Sequence, residues 1–197
     1  MKDTDSSADF ASLTPHAVLE AVEMATGRDL APFTQPLASY INRVYELQDA
    51  SGERVIAKFY RPGRWPFAAL EEEHAFMLEC CDAEIPVVPP VKLIDGETLG
   101  TFNSIHFAVY PKRRGREFEP VCDDDYRRLG HLTGRLHAVG SREQAAHRVT
   151  LMPTESTADY LQTLLESGLL GPRWHTAFRT IGETMLADIC VLVSPPR

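Results

Sequence analysis

Every segment with strand character lies before Pro111, and helical periodicity takes over after it. Phe33–Ser39, Asn42–Gln48, Arg54–Tyr60, Val91–Ile94, Thr98–Phe102 and Ile105–Tyr110 are short and rich in β-forming residues, and read as strands. Asp49-Ala50-Ser51-Gly52 is a turn, and Asp95-Gly96 is expected to close a hairpin. The three prolines of Ile85–Pro90 exclude helix and limit ladder pairing. A first helix starts at Thr14-Pro15, a capping hydroxyl followed by proline at the first helical position, and stops at Gly27. Further helices are expected at 66–81, 123–139, 155–168 and 173–193. Strands segregated from helices predict an α+β fold in two layers or two lobes. The expected organisation is a mobile tail at 1–12, a sheet domain at 13–110, a connector at 111–120 containing Lys112-Arg113-Arg114-Gly115-Arg116, and a helical part at 121–197.

Composition narrows the partners. With 20 basic and 28 acidic residues the chain carries −8, so bulk charge draws it neither to nucleic acid nor to anionic lipid. Apolar runs such as Ile189–Val193 are only a few residues long, against the ~20 needed to span a bilayer. The opening Met1-Lys2-Asp3-Thr4-Asp5-Ser6-Ser7 is polar and unlike a secretory signal. Cys80, Cys81, Cys122 and Cys190 form no disulfide or zinc pattern. They read as reduced thiols of a cytoplasmic protein.

The chemistry concentrates in Arg54–Tyr60. Alternation puts Ile56, Lys58 and Tyr60 on one face and Val55, Ala57 and Phe59 on the other. A lysine in so apolar a strand either snorkels to water or meets an anion, because burying an unpaired ammonium is costly. The next helix holds Glu71, Glu72 and Glu73. At ~3.6 residues per turn, Leu70, Glu73, Met77, Cys80 and Cys81 share a side, Glu72 points away from it and Glu71 flanks it. Glu73, set in the apolar stripe, is the candidate partner of Lys58. Between the first two strands, Ser39-Tyr40-Ile41-Asn42-Arg43 contains no glycine but offers the Ser39 hydroxyl, the Asn42 amide and backbone N–H groups.

A strand lysine followed by a helix glutamate is the ion pair of protein kinases. Ser39–Tyr45, Lys58–Trp65, Leu70–Phe76, Glu84–Val87, Phe107–Pro111, Gly134–Gly140 and His147–Thr150 together resemble, in the same order, the bacterial stress response kinase A family. These are serine/threonine protein kinases in the aminoglycoside-phosphotransferase-like branch of the protein-kinase fold. The resemblance covers about Leu13 to Thr150 and is weak beyond. It implies a kinase-like N-terminal lobe, with a five-stranded, mostly antiparallel sheet and a helix, followed by the first helices of an incomplete helical C-terminal lobe. It implies ATP as ligand, with Ser39, Tyr40 and Asn42 in the nucleotide loop, Lys58 on the phosphates and Glu73 orienting it. Val109, Tyr110 and Lys112 become the hinge, whose backbone faces adenine.

There are departures. Ile41 replaces a usual acidic residue, and Val149 a usual proline. Kinases need a catalytic-loop aspartate five residues before an asparagine. Here Leu37 and Thr98 precede the only asparagines, Asn42 and Asn103, by that distance. No catalytic residue is therefore assigned in this chain, which is expected to hold the nucleotide-binding half. Mg²⁺ is expected only in a full-length relative. A protein substrate and self-association through exposed helices are the expected partners beyond ATP. A non-catalytic truncated or pseudokinase protein, and an aminoglycoside- or choline-type small-molecule kinase, are the alternatives. Leu129, Leu132, Leu136 and Val139 form a helical stripe, with Gly130 and Gly134 allowing close packing and His137 a packed histidine. Trp65 and its neighbouring arginines suggest nucleic-acid stacking, against which the net charge argues.

Overall fold

A computed structural model of the chain describes residues 10–149 and 153–193. Its elements are α1 (Pro15–Thr26), β1 (Leu30–Leu37), β2 (Arg43–Asp49), β3 (Arg54–Phe59), α2 (Phe67–Asp82), β4 (Gly100–Phe102), β5 (Ile105–Pro111), α3 (Asp123–Gly140), α4 (Pro153–Glu166) and α5 (Pro172–Val193). Of the tail expected at 1–12, residues 1–9 lie outside the described residues. Phe10–Ser12 form a 3₁₀ turn, and Phe10 packs on the core, so these three are not tail.

The local signals act where expected at α1. Thr14 Oγ1 accepts the Ala17 N–H at 3.2 Å, Pro15 opens the helix, and Gly27 ends it at φ 66. The sheet runs β1-β2-β3-β5-β4 with every pairing antiparallel. Val55, Ala57 and Phe59 are fully buried on the α1 face, with Val18, Val22, Leu47, Phe107 and Val109. The other face meets α2 through Tyr60, Leu70, Leu99 and Ala108.

The last hairpin differs from expectation. Its turn is Asn103-Ser104, both at positive φ (48° and 63°), as a two-residue turn matching strand twist requires. Asp95-Gly96 instead closes a small loop in which the Leu93 N–H donates to the Glu97 carbonyl at 2.7 Å. Val91–Ile94 is not a ladder strand: its N–H groups go singly to Val109, Glu97 and Ala25 carbonyls. Gly100 is required by close approach, because a Cβ there would lie 2.6 Å from the Phe107 ring.

The chain forms two compact units, Met1–Arg148 and Val149–Arg197. The connector at 111–120 is thus not where the first unit stops. Leu132, Leu136 and Val139 of α3 pack on Cys80 and Ile85, and Arg135 donates to the Ala83 and Glu84 carbonyls at 2.8 Å each, satisfying the C-terminal end of α2. Gly130 and Gly134 face open space, and Leu129 and His137 are exposed, so that part of the α3 stripe is not core. The second unit is the antiparallel-type pair α4 and α5, in which Gly182 lies against Leu161.

Candidate nucleotide site

Strand alternation carries Lys58 to the α2 face of β3, opposite Val44 on β2 and Ala108 on β5. Its Nζ lies 3.1 Å from Glu73 Oε1 and 4.4 Å from the centre of the Tyr60 ring. Glu73 is half-buried, and its second oxygen accepts from Arg148 Nη1 at 3.0 Å. One carboxylate therefore holds two cations, one from the sheet and one from the segment after α3.

The buried side of α2 is not the stripe that periodicity drew. Ala69, Leu70, His74 and Cys80 are buried, Glu73 and Met77 are half-buried, and Cys81 is exposed. His74 occupies the centre because polar partners await it. Its Nε2 meets Tyr60 Oη at 2.9 Å and Tyr110 Oη at 3.4 Å, and its Nδ1 meets Thr98 Oγ1 at 2.8 Å. The two tyrosine hydroxyls are 3.2 Å apart. Burial pushes His74 down to about 4, against the pull of Glu73 and with the help of Lys58. The ring is neutral at pH 7, one nitrogen donating and the other accepting. Burial likewise raises both Tyr60 and Tyr110.

The loop joining β1 to β2 is closed by the Leu37–Val44 pair. Tyr40 is wholly exposed at its tip, Ser39 is half-buried, and Asn42 Oδ1 accepts the Arg61 N–H at 3.2 Å. Asn42 thus ties the loop to the connector after β3. At the other end of the site, Val109 turns its side chain into the α1 core and its carbonyl accepts from Val91 N–H. Tyr110 spends its side chain on the histidine network. Lys112 N–H donates to the Arg54 carbonyl at 3.1 Å, which completes the β3–β5 ladder. Even-numbered residues of β5 therefore turn their backbone groups to β3, and Val109 and Pro111 turn theirs to the outer edge. The Lys112 ammonium meets Glu46 Oε2 at 2.6 Å, and Arg54 meets the other oxygen. Glu46 is 3% exposed, and the Lys112 hydrogen bond above all holds its carboxyl below the usual range.

The structure brings Lys58 and Glu73 together, ties Asn42 to the chain that follows Lys58, and puts Lys112 on a buried carboxylate. Sequence reading missed His74, Glu46 and Arg148. The alternation of β2, which puts Glu46 on the face away from Tyr45 and Leu47, is the sequence signal for Glu46.

A model of the APH phosphotransferase enzyme family matches residues 33–190. The chain belongs to that family. Stress response kinase A of Escherichia coli is 36% identical over 180 residues, 91% of this chain and 54% of that protein. The serine/threonine protein kinase RdoA of Salmonella typhimurium is 33% identical over 189 residues, 94% of this chain and 56% of that protein. The chain spans about half the length of these curated relatives. Amicoumacin kinase hAmiN, solved in complex with AMP-PNP, Ca²⁺ and Ami, superposes with a TM-score of 0.59 at 19% identity, over 79% of this chain and 55% of that one. Spectinomycin phosphotransferase, solved with ADP and spectinomycin, gives 0.57 at 12% identity, over 92% and 56%. The fold is that of the N-terminal lobe and part of the C-terminal lobe of these protein-kinase-like enzymes.

Proposed function

We propose that this chain is the ATP-binding half of a serine/threonine protein kinase of the stress response kinase A type. The half-buried Lys58–Glu73 pair carries the reading. A phosphate-binding ammonium must be held on the cleft face without being neutralised, and an ion pair with a shared carboxylate does that. Lys58 and the backbone N–H groups around Ser39, Tyr40 and Asn42 offer donors for phosphates, and the outer edge of β5, from Val109, whose carbonyl Val91 already occupies, to the carbonyl of Pro111, offers an edge for adenine. Lys112 contributes its backbone to that ladder, while its ammonium is committed to Glu46.

Mg²⁺ belongs to a full-length relative in this reading. Among the described residues no three potential metal ligands cluster. Both Glu73 oxygens are taken by cations, and the Glu72 oxygens accept backbone N–H groups. These residues do not fit a divalent cation. No Asp-x-x-x-x-Asn pair is present in the 197 residues, so the chain by itself is expected to bind nucleotide weakly and to transfer no phosphoryl group.

A protein hydroxyl as acceptor is supported by the identity to the kinase relatives, and the compartment we infer is the cytoplasm. The solved neighbours include small-molecule kinases, which supports a small amino or hydroxyl compound as the second reading. The apolar residues exposed on α5, among them Ile181, Met185 and Leu192, support self-association of the isolated chain.

Calorimetric titration of ATP tests the central claim. Weak binding is expected, at least tenfold weaker in Lys58→Met, since losing a direct phosphate contact removes about 1.4 kcal/mol or more. Tight binding that survives the substitution would place the nucleotide elsewhere.

A further inference from the structure

Two adjacent carboxylates on α2 reach one short segment more than seventy positions later, Glu72 through three residues of it and Glu73 through Arg148 alone. Glu72 Oε1 accepts the N–H groups of Ala146 at 2.7 Å and His147 at 3.0 Å, and its Oε2 accepts those of His147 at 3.0 Å and Arg148 at 3.1 Å. Three successive amides converge on one anion. Burial raises the Glu72 carboxyl, and these amides with His147 outweigh it, so its value falls below the ordinary one. With the backbone held in this way, the Arg148 side chain turns to Glu73 Oε2 at 3.0 Å and lies 5.0 Å from the centre of the Trp65 ring.

Apolar packing does not seat this segment. Residues 141–147 are exposed, and a cavity of about 380 Å³ opens between 143–148, α2 and the end of α3, lined in part by Phe76, Val139 and Ala145. The two carboxylates and Trp65 supply the attachment.

We propose that Glu72 and Arg148 form a clamp on α2 that sets the Lys58–Glu73 pair, with Arg148 a positioning residue for nucleotide binding. The inference rests on the ATP-binding reading of Lys58. Arg148 acts in two ways of the same sign. It engages the second oxygen of Glu73, which fixes the carboxylate rotamer and hence the place of Lys58. It also stays beside Glu73 when phosphate draws on Lys58, so that the carboxylate keeps a cation and pulls less on the ammonium. Without Arg148, Lys58 becomes the sole partner of Glu73 and is both less fixed and less available. Lysine at this position keeps the charge but loses the planar fork and the stacking on Trp65.

The experiment is ATP calorimetry on the full 197-residue chain and its Arg148→Ala, Arg148→Lys and Glu72→Gln variants, with amide hydrogen exchange over 146–148. Arg148→Ala is expected to weaken ATP about tenfold and Arg148→Lys to restore part of that. Glu72→Gln is expected to weaken ATP about threefold and to speed exchange of the Ala146, His147 and Arg148 amides. A merely structural role would lower the thermal midpoint and leave the affinity of the folded chain unchanged. Folded variants that bind ATP as the parent does overturn the clamp; if Arg148→Ala does not fold, Arg148→Lys and Glu72→Gln decide by the same criterion. A parent chain that binds no ATP overturns the nucleotide reading itself, a different result from binding that the variants leave untouched.

Discussion

Glu46 lies beneath Lys112, its Oε2 2.6 Å from the ammonium, although 66 positions separate them in the chain. The carboxylate is buried and its two cations are partly exposed. This pair pins the end of β5 to β2 on the α2 side of the sheet.

Glu46→Ala leaves Lys112 and Arg54 without their anion at a buried position. Water reaches both cations, so the expected loss is about 1–2 kcal/mol, below that of a fully buried pair. Urea unfolding measures it. Because the folded carboxyl titrates below its ordinary value of 4.5, the stabilisation is present above that value and is lost as pH falls through the folded one. A parent and variant of equal stability at pH 7 would contradict this.

His74 gives a second, separate pH window. Its folded value of about 4 lies below the ordinary 6.5, so the unfolded chain takes up the proton first as pH drops. The contribution is complete above about pH 6.5 and drains away towards pH 4, by up to ~3 kcal/mol at ~1.36 kcal/mol per unit. Unfolding curves across this window check it. His74→Phe should flatten the dependence there while lowering stability at pH 7, since Tyr60, Tyr110 and Thr98 lose a partner.

Lys58→Met should separate binding from stability. The Lys58 and Glu73 side chains are each 26% exposed, and a pair so exposed contributes about 1 kcal/mol or less. Unfolding free energy should hold within that margin while ATP affinity falls. A loss of several kcal/mol would recast Lys58 as a structural residue.

Gly100→Ala tests the packing of the last hairpin. A methyl group there meets the Phe107 ring at 2.6 Å, and Phe107 is buried and stacked on Phe59 at 5.1 Å between centroids. The ring has little room to move, so a loss of about 1–3 kcal/mol is expected. Thermal unfolding with no change in midpoint would show that β4 yields instead.

Sequence by itself determined what short-range geometry controls. The period of two in Arg54–Phe59 assigned Lys58 to the face opposite Phe59, and Thr14, Pro15 and Gly27 bounded α1. Residue order and type carried the family resemblance, and helical period singled out Glu73 among three glutamates as partner of Lys58. What the tertiary structure decided lies in polar groups whose partners are far away in the chain. Glu72, a solvent-side residue by helical period, holds three amides of 146–148. His74, which the stripe drawn from periodicity omits, is buried because Tyr60, Thr98 and Tyr110 converge on it from three other segments. Periodicity reports which side of an element is apolar, on average. Whether a polar side chain can be buried depends on donors and acceptors brought within 3 Å by the fold, and no local pattern encodes that meeting.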